Sequence, residues 1–175
     1  MMIENKFLGK EIIKETLFEK LEEILVSEGF KIDQQDMQRP WGGFFVIDEN
    51  QITAFKTKFF PELNLDQVQL KQKLSPKILL VAPGKRLSWQ YHHRRAEVWK
   101  LVNGHAAIVR SNTDVQNEPI DMLKGELVRL NQGERHRLVG KDSWGVVAEI
   151  WMHTDKHNPS DEEDIVRVED DFARK

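Results

Sequence analysis

The stretch Ser88–Trp99, SWQYHHRRAEVW, sets Gln90 two residues before His92 and Glu97 five residues after it. If Ser88 to His93 is a strand, its side chains alternate between faces, so Gln90 and His92 point one way and Trp89, Tyr91 and His93 the other. Only one of the two adjacent histidines can then look inward beside Gln90. Arg94-Arg95-Ala96 leaves room for a turn or bulge, after which Glu97 can return a carboxylate to the same side. A second imidazole comes from NQGERHRLVG, where His136 follows a glycine turn. Gln90, His92, Glu97 and His136 make a set of one amide oxygen, two imidazoles and one carboxylate. Such a set suits Zn, Mn, Fe, Co or Ni and leaves positions open for water or substrate. Trp89 and Tyr91, on the opposite face, are expected to pack outside the metal cavity, against a helix or a second subunit.

Around this stretch the chain reads as short runs rich in Val, Ile, Phe and Trp. They are WGGFFVI, QITAFKTKFF, KILLVA, LSWQYH, EVWKLV, HAAIVR, ELVRL, HRLVG and WGVVAEIWM, broken by DEN, APGK, NG, NTD, NQGE and GKDS. Many short strands so spaced indicate an all-β sandwich or barrel. Asn103-Gly104 is the clearest hairpin signal, because both central residues of a type I′ turn need positive φ. Pro61 to Ser75 breaks the rhythm and is expected to form a loop or short helix over the barrel mouth. Ahead of the strands, Lys10 to Phe30 carries Ile13, Leu17, Leu21, Ile24 and Leu25 at steps of three and four before Gly29, the pattern of an amphipathic helix closed by glycine. This divides the chain into a helical extension, residues 1–36, and a β-domain with a C-terminal tail, residues 37–175.

Composition narrows the function. With 39% hydrophobic and 31% charged residues, the chain suits a globular domain with its own core. A formal net charge of −3 leaves no basic stripe for a phosphate backbone, which argues against nucleic acid as a partner. The absence of cysteine excludes disulfides, thiolate metal sites and a cysteine nucleophile, so any metal is held by nitrogen and oxygen. No stretch is long or apolar enough for a signal-peptide core or a bilayer span, and the expectation is a cytoplasmic protein with no membrane partner.

The order of these motifs resembles the cupin β-barrel, and more closely the cupin domain of type II phosphomannose isomerases. The residues that carry the likeness are Arg39-Pro40-Trp41-Gly42, Pro83 to Trp99, His136-Arg137-Leu138 and the closing segment Glu163-Asp164-Ile165-Val166-Arg167 through Glu169, Asp170, Phe172 and Arg174. The resemblance implies a jelly-roll cupin barrel behind an N-terminal α-helix. It also implies one divalent metal, Zn first among the candidates, on Gln90, His92, Glu97 and His136. Gln90, where other cupins place His, is a mark of this subfamily. Three departures stand out, one of them Asn131 where the family has Pro before the last His turn. The residues before Arg39 are too few for the nucleotidyltransferase domain of two-domain members, so guanylyl transfer is not implied, and Gln51 to Ser75 is longer than the usual link.

The activity implied is metal-dependent aldose–ketose isomerisation of a sugar phosphate, with mannose 6-phosphate to fructose 6-phosphate as the first choice and a heptose phosphate as a sibling. The proton must move between C1 and C2 through an enediolate, which needs a base and a group to hold the oxyanion. Lys77, Lys100, His105 and Glu149 are the candidate bases; the family resemblance favours Lys77, seven residues before Gly84. The same resemblance assigns Arg95 to catalysis and phosphate binding and adds Arg137 and Arg167 to the substrate set, since guanidinium forks suit phosphate. A non-catalytic sugar-binding or regulatory cupin and an Fe(II) oxygenase remain open alternatives, and under any of these readings the chain can be a homodimer.

Overall fold

The computed structural model describes residues 3–174. Among them, nine strands join in one sheet: β1 (Ile32–Asp36), β2 (Gly42–Ile47), β3 (Lys77–Val81), β4 (Trp89–Tyr91), β5 (Arg95–Ser111), β6 (Ile120–Asp121), β7 (Leu127–Leu130), β8 (Arg135–His153) and β9 (Val166–Glu169). Every pairing is antiparallel. The long strands β5 and β8 run together from Arg95↔His153 to Ser111↔Arg135. Shorter strands attach to their two halves. β3 lies on the C-terminal half of β8 and carries β2 and β1 beyond it, while β7 lies on the N-terminal half of β5. On the other halves, β4 and then β9 flank β8, and β6 flanks β5. Bending the β5–β8 ribbon in the middle therefore makes two facing layers, the cupin jelly roll.

The bend is where Asn103-Gly104 falls. The register slips between Leu101 and Asn103 and again between Gly104 and Ala106, so the pair sits inside one continuous strand at a bulge, not in the expected hairpin turn. The positive φ that the motif promised is present, +76° at Gly104, and a Cβ there would meet the Trp144 carbonyl oxygen at 1.8 Å. The bulges also change which residues face inward: Trp99 and Leu101 before the bend and Ala106 and Ile108 after it share one interior cluster with Leu79, Val81, Leu138 and Val147. GKDS likewise does not break the chain, since HRLVG and WGVVAEIWM are parts of β8.

The first layer is buried on both faces, which explains runs such as KILLV that show no polar alternation. Its outer face, with Phe45, Ile47, Ile78, Leu80, Val146, Ala148 and Ile150, is covered by two helices. Helix α1 (Lys14–Ser27) contributes Leu17, Phe18, Leu21 and Leu25. It starts later than Lys10, and Ile13, which the helical stripe included, is its exposed N-cap residue. Helix α2 (Ile52–Phe59) replaces the strand expected for QITAFKTKFF; Ile52, Phe55 and Phe59 are buried at helical spacing. The aromatic, β-branched composition there reads as strand, but the apolar period of three and four decides the conformation against a flat outer face. The Pro61–Ser75 segment holds a short helix, α3 (Gln67–Leu70), with Asp66 and Gln69 forming a capping box. The expected boundary at 36/37 does not separate two bodies, because β1 is hydrogen-bonded to β2 and α1 shares the outer core. No helix among the described residues is long and apolar enough to cross a membrane.

Two outcomes test this packing. Gly104→Ala should lower the thermal midpoint by the equivalent of at least about 2 kcal/mol, since the added methyl forces the bend open. Leu21→Ala, fully buried between α1 and the sheet, should cost about 3 kcal/mol in denaturant unfolding.

Candidate metal centre

His92, the residue just past β4, and His136 in β8 come to one interior point, as expected. His92, Glu97 and His136 are all buried, and one donor atom from each lies within 4.8 Å of the others. His92 Nε2 stands 3.1 Å from Glu97 Oε1, and His136 Nε2 3.5 Å from Glu97 Oε2. Each ring is oriented by its other nitrogen. His92 Nδ1 is 2.6 Å from the Asp164 carbonyl oxygen and His136 Nδ1 is 2.9 Å from that of Glu134. A carbonyl oxygen only accepts, so both Nδ1 atoms carry hydrogen and, in a neutral ring, both Nε2 atoms present lone pairs. These lone pairs face the oxygens of a carboxylate, an arrangement that needs a cation between them. His136 Nε2 is correspondingly buried without a hydrogen-bond partner. The donor set fits a divalent metal, with backbone carbonyls fixing the imidazoles from behind.

Burial works to raise the Glu97 carboxyl; positive charge at the two imidazoles, first at His92, together with Arg95 overcomes it and holds Glu97 well below the usual carboxylate range. Gln90, the fourth expected ligand, lies on the interior face directly across from His136, and its amide oxygen accepts a hydrogen bond from Ser88 Oγ at 2.5 Å. His93 turns outward as expected, its ring edge-on to Tyr91. Trp89 and Tyr91 point away from the metal cavity as expected, and within the chain their partners are not α1: Trp89 Nε1 donates to the Asp114 carbonyl and the Arg135 guanidinium lies over the Tyr91 ring.

Beside the triad opens a cavity of about 360 Å³, within the usual size of small-molecule sites. Lys77, Arg95, Glu149 and Arg167 line it, as do Arg39, Trp41, Lys73, Glu162 and Arg174. Lys77 is paired across the sheet with Glu149, and Glu149 with Trp99. The Trp99 indole Nε1 donates to both Glu97 Oε2, at 3.1 Å, and Glu149 Oε2, at 3.0 Å. One N–H thus links the carboxylate of the candidate metal cluster to a second buried one. Burial first, and the charge of Glu97 next, lift Glu149 to about 7, against the opposing pull of Lys77 and Arg95. Lys77 Nζ lies 4.6 Å from the centre of the Trp151 ring and 3.3 Å from Glu162.

Not every expected residue arrives free for substrate. Arg95 lies between cavity and triad: Nε donates to Glu97 Oε1 at 3.0 Å, Nη1 to Ser160 Oγ and the Asp161 carbonyl, and Nη2 faces His92 Nε2 at 3.4 Å. Arg137 is not in the cavity. Next to His136 in β8, it points to the opposite face, where Nε donates to the Leu87 carbonyl and Nη1 to Gln116 and Glu169. Lys100 and His105 are also elsewhere, paired with Glu62 and Asp142. Arg39 and Arg174 stood in the sequence motifs without a role, and Lys73 in a segment with no motif; only folding brings them to the cavity.

A jelly-roll barrel with a buried two-His, one-carboxylate cluster defines a cupin whose interior could hold a metal ion. The chain belongs to the family of mannose-6-phosphate isomerase C-terminal domains, matched over residues 48–170. It is 31% identical over 109 residues to the xanthan biosynthesis protein XanB of Xanthomonas campestris pv. campestris, covering 62% of this chain and 22% of that protein. To the mannose-1-phosphate guanylyltransferase ManC of Salmonella typhimurium it is 26% identical over 140 residues, covering 80% of this chain and 23% of that one. The chain thus spans less than a quarter of the curated relatives it matches. Among solved structures, tomato vicilin superposes with a TM-score of 0.51 at 15% identity, over 79% of this chain and 35% of vicilin. Lactobacillus farciminis oxalate decarboxylase gives 0.50 at 18%, over 77% and 33%. These two likenesses speak to the fold alone.

His92→Ala should abolish metal retention in elemental analysis of protein purified without an affinity tag, whereas His93→Ala should retain it. Equal loss in both would contradict the inward and outward assignment of the two rings.

Proposed function

We propose that this chain is a metal-dependent aldose–ketose isomerase of sugar phosphates, interconverting mannose 6-phosphate and fructose 6-phosphate. The observation that carries this reading is the Glu97–Trp99–Glu149 link: a metal-ligating carboxylate and a second, buried carboxylate joined through one indole N–H beside a cavity of sugar size. His92, Glu97 and His136, with Gln90, would hold the ion, Zn first and Mn, Fe, Co or Ni as alternatives. A bound ion would supply Lewis acidity to the C1 and C2 oxygens.

The proton transfer falls to Glu149. As a carboxylate it takes the proton from C2 of the aldose and returns it to C1, while the hydroxyl proton passes between O2 and O1; no atom is gained or lost. Lys77 was the sequence's choice of base. Its amine is held between the Trp151 face and Glu162, which suits an ammonium better than a free base. In this reading Lys77 is the cation that favours ionised Glu149. Trp99 fixes the carboxylate, and the apolar wall of Trp41, Phe44, Leu79 and Leu87 limits water at the reacting carbons.

A second reading, a sugar-binding cupin whose metal is structural, is favoured by one observation: Arg95 stands between the cavity and the triad. Turnover separates the two. Metal-loaded protein should convert mannose 6-phosphate to ketose. Glu149→Gln should lower kcat by about a hundredfold or more with metal content unchanged, and Lys77→Met should cost less. If no hexose or heptose phosphate turns over with any of the five metals while calorimetry shows tight sugar binding, the binding-module reading replaces the isomerase.

A further inference from the structure

The cavity is graded in charge and depth. Its lining carries six cationic side chains, Arg39, Lys73, Lys77, Arg95, Arg167 and Arg174, against two acidic ones, Glu149 and Glu162. The whole chain, in contrast, has a formal net charge of −3. Lys77, Arg95 and Glu149 form the buried inner end; Arg39, Arg167 and Arg174 are half-buried and Lys73 is exposed, so these four form the mouth. They come from four places that only folding unites: the β1–β2 connection, the segment before β3, β9 and the C-terminal turn.

We propose that Arg39, Arg167 and Arg174 form a recess for a phosphomonoester dianion at this mouth. The inference rests on the sugar-phosphate reading above and moves the phosphate away from Arg95 and Arg137. Arg95 has its nitrogens on Glu97, Ser160, Asp161 and His92, and Arg137 is on the other face of β8. The three mouth arginines, by contrast, converge. Arg167 is directly across the β4–β9 pairing from Gln90, which places it one strand from the metal centre and on the interior face.

Their geometry is held by carboxylates set behind them. Asp170 receives Arg174 Nε at 2.7 Å and Nη2 at 3.0 Å, and Asp36 lies 2.9 Å from Arg39 Nε. The Phe44 ring lies 5.5 Å beneath the Arg39 guanidinium. Burial, then the charges of Arg174 and Arg39, push the Arg167 guanidinium down from its usual value against the pull of Asp170. Three like charges held at one rim repel one another. A dianion between them relieves that repulsion and can accept from the guanidinium N–H groups turned away from Asp36 and Asp170, whereas a neutral sugar brings no charge to offset it.

Calorimetry with two probes, inorganic phosphate and mannose 6-phosphate, on the full metal-loaded chain tests the site. Wild type should bind one phosphate per chain, with affinity falling as salt rises. Arg39→Gln, Arg167→Gln and Arg174→Gln should each weaken it at least tenfold at unchanged metal content. Arg86→Gln, a cation paired with Asp171 outside the cavity, should not. Should a Gln variant fail to fold, Arg167→Lys keeps the charge but loses the fork, and at least a threefold loss is expected. Undiminished phosphate binding in the variants that fold, or an equal loss in Arg86→Gln, overturns the proposal. Isomerase turnover with an unchanged KM for the phosphate ester in these variants would also sink it while leaving the isomerase standing. Arginine-dependent phosphate binding without any turnover would leave the site standing and remove the isomerase.

Discussion

β5 and β8 share fifteen registered residue pairs, from Arg95↔His153 to Ser111↔Arg135, and every other strand joins the sheet through one of them, directly or by way of intervening strands. Because the ribbon bends at Asn103-Gly104, one pair of strands supplies the centre of both layers. The same pairing sets the chemistry. Its first half places Glu97 opposite Trp151 and Trp99 opposite Glu149, and its second half brings His136 round to face them. A straight ribbon would put His136 and Glu97 at opposite ends of one long sheet. The steric demand at Gly104, where a side chain would strike the Trp144 carbonyl, is thus a condition for the metal centre as much as for the fold.

Placing a carboxylate such as Glu97 in the interior costs several kcal/mol unless its charge is matched. Here the matching groups are arranged in depth. Arg95 and the Trp99 indole donate to Glu97, the two imidazole Nε2 atoms beside it frame a place for a cation, and Asp164 holds the assembly from outside. The Asp164 carboxylate accepts from the His93 and Arg94 backbone amides and from Ser160 Oγ, while its carbonyl orients His92. The acidic run near the C-terminus, which composition alone would leave in solvent, is therefore a clamp closing the turn between β4 and β5. It then continues into β9 and carries Arg167 to the cavity.

The cavity pairs a proton-handling interior with a cationic rim, and the two are built by different means. At the inner end, burial and a neighbouring carboxylate raise Glu149 toward neutrality. At the rim, guanidinium groups are held in place by Asp36 and Asp170. Focusing positive charge into one opening of a net-negative protein favours small anions there without making the surface attractive to polyanions.

Much of this was legible in the chain itself. Alternation in SWQYHH separated His92 from His93, the glycine turn before His136 marked the second imidazole, and the motif order from Arg39 to Arg174 pointed to the cupin barrel. These are local or sequential properties, and a period of two or a turn residue expresses them directly. What the sequence could not determine was wherever a long-range contact overrode a local signal. The run at Ile52–Phe59 became a helix because an apolar outer face was there to receive Phe55 and Phe59. Asn103-Gly104 used its positive φ for a bulge because β8 continued alongside it. Arg137 and Arg95, equal to Arg167 as motif arginines, were taken by Leu87, Glu169 and Glu97, while Arg39 and Arg174 reached the cavity. A side chain's type and its place in a motif limit what chemistry it can do. Which partner it meets depends on the packing of segments as much as 135 residues apart, as with Arg39 and Arg174 at one rim, and only the tertiary structure decides that.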